Sequence, residues 1–300
     1  MITLSRRRLL SATAVAGSAL MFRHALAKQV SKDDLHGHLK ALERAHGGRL
    51  GVSILDVDSG RRLDHRGDER FPMCSTFKWI AAAHVLARVD RGKEQLDRRV
   101  AISQTDLVPY APVSEKHVRS DGMSMAELCH AAVTLSDNTA ANLMLTNSGG
   151  PQGFTAFVRS IGDKVTRLDR IEPDLNEGTP GDSRDTTSPV AMLDTLRKLA
   201  LGDTLSSSSR QQLTDWLVAN TTGDHALRAG LPTRWRIGDK TGSSGAGISN
   251  DVAIAWPARG GPLLIAAYYA ESTGDGNSRS AVLAEVGRIA ASFFADTTRN

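Results

Sequence analysis

Three short stretches of this 300-residue chain hold residue types that together can do nucleophilic chemistry. Ser75-Thr76-Phe77-Lys78 sets a hydroxyl and an amine three residues apart at the head of a largely apolar segment. On a helix that spacing puts both side chains on one face. A serine hydroxyl is a poor nucleophile until a neighbour takes its proton, and an amine in a dry site has a lowered pKa suited to that task. A helix start adds unpaired N–H groups and the positive end of a dipole, both useful to a developing oxyanion. Ser136-Asp137-Asn138 sets a second hydroxyl and an amide between two helical stretches. Lys240-Thr241-Gly242 ends a predicted strand and leads into Ser243-Ser244-Gly245. Each stretch alone also suits a plainer role: a helix cap with a snorkelling lysine, a polar cap, and an edge strand entering a turn. Their order and their contexts, taken together, point to chemistry.

The elements that must position these residues divide by style. Leu35, Leu39 and Leu42 recur at helical spacing within residues 32–46, and Gly47-Gly48 ends the pattern. Segments 49–57 and 61–65 alternate as strands about Asp58-Ser59-Gly60, a hairpin signal. Residues 77–90 read as an apolar helix of the kind a core wants. Further helix is predicted over 126–145, 153–161, 189–201 and 207–220. Short strands follow at 235–238, 252–256 and 263–269, closed by a helix over 280–294. Strands at both ends and helices between them predict an α/β fold of the α+β kind. Residues 28–66 and 221–300 form an antiparallel sheet flanked by terminal helices, and residues 67–220 an all-α lobe. A cleft between two such lobes is a natural ligand site. Residues 169–188 make a polar loop too long for a mere connector, and long ordered loops are often functional.

The N-terminus reads as a signal peptide over residues 1–27. Ser5-Arg6-Arg7-Arg8-Leu9-Leu10 precedes an apolar run, shorter than the about 20 residues a bilayer needs, and Ala25-Leu26-Ala27 offers a cleavage site. The paired arginines before two leucines favour twin-arginine export over an ordinary secretory signal. The expected location is periplasmic or secreted, with no membrane attachment after signal removal. The four arginines of that segment equal the whole formal excess of +4, so the mature chain is neutral and lacks the basic face a nucleic-acid partner requires. Cys74 and Cys129 are the only cysteines, and nothing in their spacing brings them within the roughly 6 Å of a bridge; two free, buried thiols are expected. His36-Gly37-His38 spaces two imidazoles closely, but a catalytic zinc takes about three convergent ligands and no third cluster follows. No metal or cofactor is expected.

The set Ser75-x-x-Lys78, Ser136-Asp137-Asn138 and Lys240-Thr241-Gly242 resembles the signature of the class A serine β-lactamases. A fourth element, Glu172-Pro173-Asp174-Leu175-Asn176 in the polar loop, matches the family's E-x-x-L-N segment, and the resemblance runs from about Leu42 to the C-terminus. It implies hydrolysis of β-lactam antibiotics, hence resistance, with a small-molecule substrate as partner; a monomer is the default expectation. Ser75 would attack the lactam carbonyl, with the oxyanion held by the N–H groups of Ser75 and Ser243. Lys78 and Glu172 would share the proton management of acylation. Ser136, helped by Lys240, would relay a proton to the leaving nitrogen. Asn138 would hold the substrate's side-chain amide and the Lys78 ammonium, and Glu172 with Asn176 would position the deacylating water. Lys240, Thr241, Gly242, Ser243 and Tyr110 complete the substrate-binding set, and Arg170 would pair with Asp185 to fix the loop.

The chain also departs from that pattern. Two positions where relatives carry an arginine for the substrate carboxylate are Ser249 and Ala226, leaving Arg228 or Arg279 as helpers. Ser244 and Ala82 stand where the cysteine partners of Cys74 and Cys129 occur in some relatives, so neither bridge can form. A penicillin-binding peptidase shares three of the four elements but has no use for Glu172 with Asn176. A β-lactam sensor would need a membrane tether.

Overall fold

The computed structural model describes residues 32–297; the expected signal peptide over 1–27 lies outside them. Helix α1 (Lys32–His46) leads into the hairpin of β1 (Arg49–Asp56) and β2 (Arg62–His65). The turn Cys74–Thr76 precedes α2 (Phe77–Asp90), and α3 (Met125–Thr134), α4 (Asn138–Asn147), α5 (Gly150–Ser160), α6 (Pro189–Ala200) and α7 (Ser207–Val218) follow. Two small ribbons brace this helical part: β3 (Phe71–Pro72) with β6 (Thr186–Thr187), and β4 (Arg99–Val100) with β5 (Met123–Ser124). The short α8 (Leu227–Gly230) returns the chain to β7 (Arg236–Ser244), β8 (Ile248–Trp256) and β9 (Leu263–Ala270), and α9 (Gly276–Thr297) closes the fold.

The main sheet is antiparallel in the order β2-β1-β9-β8-β7, so strands from both ends of the chain meet where β1 pairs with β9. Strands β8 and β9 are buried on both faces, and alternate residues go to different cores. Ala253, Ala255 and Ile265 join Leu35, Leu39, Val286 and Phe293 under the terminal helices. Val252, Ile254 and Leu264 join Phe77, Trp79, Leu128, Met144 and Leu196 under the helical part. Ten of the fourteen residues of α2 are buried, which explains its nearly unbroken apolar text.

Three expectations are corrected. The helix predicted over 126–145 is two helices: Ser136 is in the left-handed region at φ 60°, and the Asp137 carboxylate caps α4 by accepting the Ala140 N–H at 2.8 Å. The strand predicted over 235–238 runs on to Ser244, so Lys240-Thr241-Gly242 lies within β7 rather than past its end. The final helix starts at Gly276, four residues earlier than its apolar pattern. Cys74 and Cys129 are free and buried, and burial pushes both thiols up, Cys74 to about 12. His36 Nδ1 lies 3.1 Å from the Asp64 carbonyl, its ring spent on the hairpin.

Candidate active site

Ser75 sits on the turn that opens α2, in a backbone held from several sides. Cys74 before it takes φ 44°, uncommon for a residue with a Cβ. Thr76 Oγ1 donates to the Met73 carbonyl at 2.8 Å, and Asn250 Nδ2 donates to the carbonyls of Pro72 and Met73 at 2.9 and 3.2 Å. Strand β7 passes so close that a Cβ on Gly242 would stand 2.7 Å from the Met73 oxygen and 3.0 Å from the Ser75 nitrogen. Only glycine allows that approach.

Lys78, one helical turn on, is fully buried. Its Nζ donates to the Ser136 carbonyl at 2.8 Å and to Asn138 Oδ1 at 2.5 Å, and stands 3.0 Å from Glu172 Oε1. The same Glu172 oxygen is 3.4 Å from Ser75 Oγ. Burial lowers the Lys78 amine below the usual lysine range, against the pull of the Glu172 carboxylate. Ser136 Oγ receives Lys240 Nζ at 3.1 Å and lies 3.4 Å from Lys78 Nζ. Lys240 is fully buried, and burial together with the Lys78 charge pushes its amine down to about 7.

Glu172 reaches this point because the 169–185 loop is tied at its neck. Asp185, buried, accepts the N–H groups of Asp169 and Arg170 at 2.7 and 2.9 Å and the Arg170 Nε at 2.6 Å. Within the loop, Asn176 Nδ2 donates to Glu172 Oε2, while its Oδ1 is buried and meets no donor among the described residues. Sequence reasoning missed Asn142. Its amide brackets the Glu172 backbone, donating to the carbonyl and accepting the N–H, both at 2.9 Å. The available signal was its place four residues after Asn138 on α4, a polar residue in an otherwise apolar helix interior.

A cleft of about 500 Å³ opens between β7 and the helical part, with Lys78, Glu172 and Lys240 buried behind its lining. Ser75, Ser136, Asn138, Asn176, Thr241, Gly242 and Ser243 all open onto it. Tyr110 stands at its lip, 61% exposed, and its carbonyl accepts the Asn138 N–H at 2.9 Å. Thr222 and His225 line the opposite lip, and neither was singled out from the sequence. Of the two candidate arginines, Arg279 lines the cleft with its Nε donating to Ser249 Oγ at 3.0 Å. Arg228 instead turns away to the buried Asp239 carboxylate, which corrects its candidacy.

The model of the β-lactamase enzyme family matches residues 34–294. The chain is 53% identical over 251 residues to β-lactamase L2 of Stenotrophomonas maltophilia, covering 83% of this chain and 82% of that one. The chain belongs to the class A β-lactamase family. It is 45% identical to β-lactamase CTX-M-8 of Citrobacter amalonaticus, over 95% of this chain and 96% of that one. Among solved structures, an ancestral (GNCA) class A β-lactamase superposes with a TM-score of 0.84 at 63% identity, covering 85% of this chain and 98% of its own. The antiparallel sheet, the helical part and the cleft between them are thus the class A β-lactamase fold, and the chain is a hydrolase of that class.

Proposed function

We propose that this enzyme opens the amide of penicillins and cephalosporins through an acyl-enzyme on Ser75 and releases the product with water activated by Glu172. The observation that carries this reading is the triangle of Ser75 Oγ, Glu172 Oε1 and Lys78 Nζ, with sides of 3.4 and 3.0 Å meeting at the carboxylate. Glu172 sits where it can take the Ser75 proton as the hydroxyl attacks the lactam carbonyl, and Lys78 shares that proton management through the same carboxylate oxygen. The N–H groups of Ser75 and Ser243 hold the oxyanion, a donor of this kind contributing about 3–4 kcal/mol to transition-state stabilisation. Ser136 Oγ, 3.1 Å from the Lys240 ammonium, passes a proton to the leaving nitrogen. Asn138 and Tyr110 hold the acyl side chain, and Lys240, Thr241 and Arg279 hold the substrate carboxylate.

For deacylation, Glu172 accepts the proton of a water held against Asn176, whose Oδ1 meets no donor among the described residues. The two lobes that form the cleft are residues 28–66 with 221–300, and residues 67–220. The enzyme is exported, by the twin-arginine route suggested by Arg6-Arg7-Arg8, and acts as a monomer. The test is hydrolysis of a chromogenic cephalosporin by the purified chain from Lys28. Activity that survives a metal chelator and disappears in Ser75→Ala is expected. A chelator-sensitive rate, or a Ser75→Ala variant with wild-type turnover, would remove the serine mechanism.

A further inference from the structure

Strands β7 and β8 carry two acids that the proposed reaction does not use. Asp239 and Asp251 are both fully buried. In the ladder Asp239 pairs with Ala253 and Asp251 with Thr241, so the acids stand diagonally across one strand pair on the same side. Diagonal neighbours of this kind are within reach of each other's side chains. A guanidinium meets Asp239 alone: Arg228 donates to Asp239 Oδ1, while Asn220 Nδ2 donates to Asp239 Oδ2 at 2.7 Å. Asp251 Oδ2 accepts the Leu227 N–H at 3.0 Å, and Asp251 Oδ1, buried, meets no donor among the described residues. Two ionised carboxylates so placed repel strongly in a dry interior, and such pairs resolve the conflict by keeping one proton.

The segment these acids grip is the one that borders the cleft. Asn220, Leu227 and Arg228 anchor its two ends, and a Cβ on Gly223 would stand 1.9 Å from Asp239 Oδ2, so the backbone closes directly over that carboxylate. Between the anchors, Thr222 and His225 reach the cleft lip, and Thr222 Oγ1 bonds to Thr241 Oγ1.

We propose that Asp251 is held as the neutral acid with its proton directed at Asp239, and that this one-proton pair clamps residues 220–228 and so positions Thr222 and His225 at the cleft. Asp251 is a positioning residue, acting through the segment it holds. Burial and then the Asp239 charge push the Asp251 carboxyl well above the usual carboxylate range, and burial raises Asp239 against the pull of Arg228. The charged groups that act on Asp251 are Asp239 from the same face of β7, Arg228 from α8 and, from the opposite face of β7, Lys240; on its other flank β9 offers Ala267. The charge state of the pair is independent of the reaction proposed above, whereas the clamp's effect on substrate binding rests on that reading.

The two parts are tested separately. In the full mature chain labelled with ¹³C at aspartate carboxyls, the resonance lost in Asp251→Asn is expected at the neutral-acid position at pH 7. A carboxylate position overturns the shared proton. Because the folded state holds a proton that the unfolded chain gives up, stability falls as pH rises from the unfolded value towards the folded one. The Tm of Asp251→Asn relative to wild type is therefore expected to climb steadily from pH 5 to pH 8, and a flat difference counts against the proposal. For the clamp, Asp251→Leu is expected to speed amide exchange over 220–228 at least tenfold and to raise KM with kcat kept, while Asp251→Asn restores both. Wild-type exchange in Asp251→Leu overturns the clamp, and if that variant does not fold, the carboxyl resonance and the Asp251→Asn stability slope still decide the proton.

Discussion

Asn142 tests how Glu172 is positioned. Its side chain makes two hydrogen bonds of 2.9 Å to the Glu172 backbone, one in each direction, in a site where both residues are buried. Asn142→Ala leaves a buried N–H and a buried carbonyl without partners, each costing about 1–3 kcal/mol. Partial repair by water or backbone shift brings the sum to about 2–4 kcal/mol, and for a chain of this size that lowers Tm by about 4–8 °C. The same change frees the peptide that carries the proposed base, whose carboxylate must stay near both Ser75 Oγ and Asn176. A displacement of about 1 Å at such a group can cost on the order of a hundredfold in rate. The expected result is a folded, less stable enzyme whose kcat falls at least tenfold, with acyl-enzyme building up in rapid-mixing experiments on a chromogenic cephalosporin. Asn142→Asp should be no better, since it keeps the acceptor for the Glu172 N–H but sets a carboxylate against the Glu172 carbonyl. An Asn142→Ala variant within about 1 °C of wild type in Tm and with unchanged kcat would refute the reasoning that assigns the bracket this role.

Three further predictions follow from the chemistry of β7. Lys240 loses its proton near pH 7 because burial and the Lys78 charge oppose it, so KM should rise as pH climbs through that value, and Lys240→Arg should carry the limb to higher pH; pH profiles of KM check this. The folded state binds fewer protons there than the unfolded chain, so the cost of burying the charged amine is full below pH 7 and fades towards the ordinary lysine value. Lys240→Met should accordingly stabilise the fold more at pH 6 than at pH 9. Gly242→Ala puts a Cβ 2.7 Å from the Met73 oxygen and 3.0 Å from the Ser75 nitrogen, prying β7 from the nucleophile's turn. It should lower kcat/KM about a hundredfold or more, the loss typical of a broken oxyanion hole, as measured by steady-state kinetics on folded protein.

The architecture was legible where hydrophobic periodicity and turn residues agree, as at α1, the β1–β2 hairpin and α6. It failed where polar residues are buried for a reason other than packing. Lys240, Thr241 and Gly242 look like the end of a strand, yet β7 continues through them because Lys240 is buried against Ser136, Thr241 opens onto the cleft and the Gly242 backbone packs on the nucleophile's turn. The break at Ser136 cannot be drawn from periodicity, since apolar residues recur on both sides of it; its sequence sign was the polar Ser136-Asp137-Asn138 between two helical stretches, and the Asp137 cap and the left-handed Ser136 backbone make it. The motif residues were legible as a set, and they converge on one cleft. Asn142 and the Asp239–Asp251 pair were not, because an amide inside a helix and acids on a strand acquire meaning only when a partner on another element, 11 to 30 residues away, is known to face them. Arg228 and Arg279 could not be told apart for the same reason: a buried Asp239 draws one away and Ser249 meets the other.

The account rests on Glu172 driving release of an acyl group from Ser75. Its most direct test is intact mass spectrometry of Glu172→Ala mixed with a penicillin. A stable adduct equal to the mass of the drug, absent from the double variant that also carries Ser75→Ala, is the expected result. A Glu172→Ala enzyme that turns over at the wild-type rate with no adduct would contradict it.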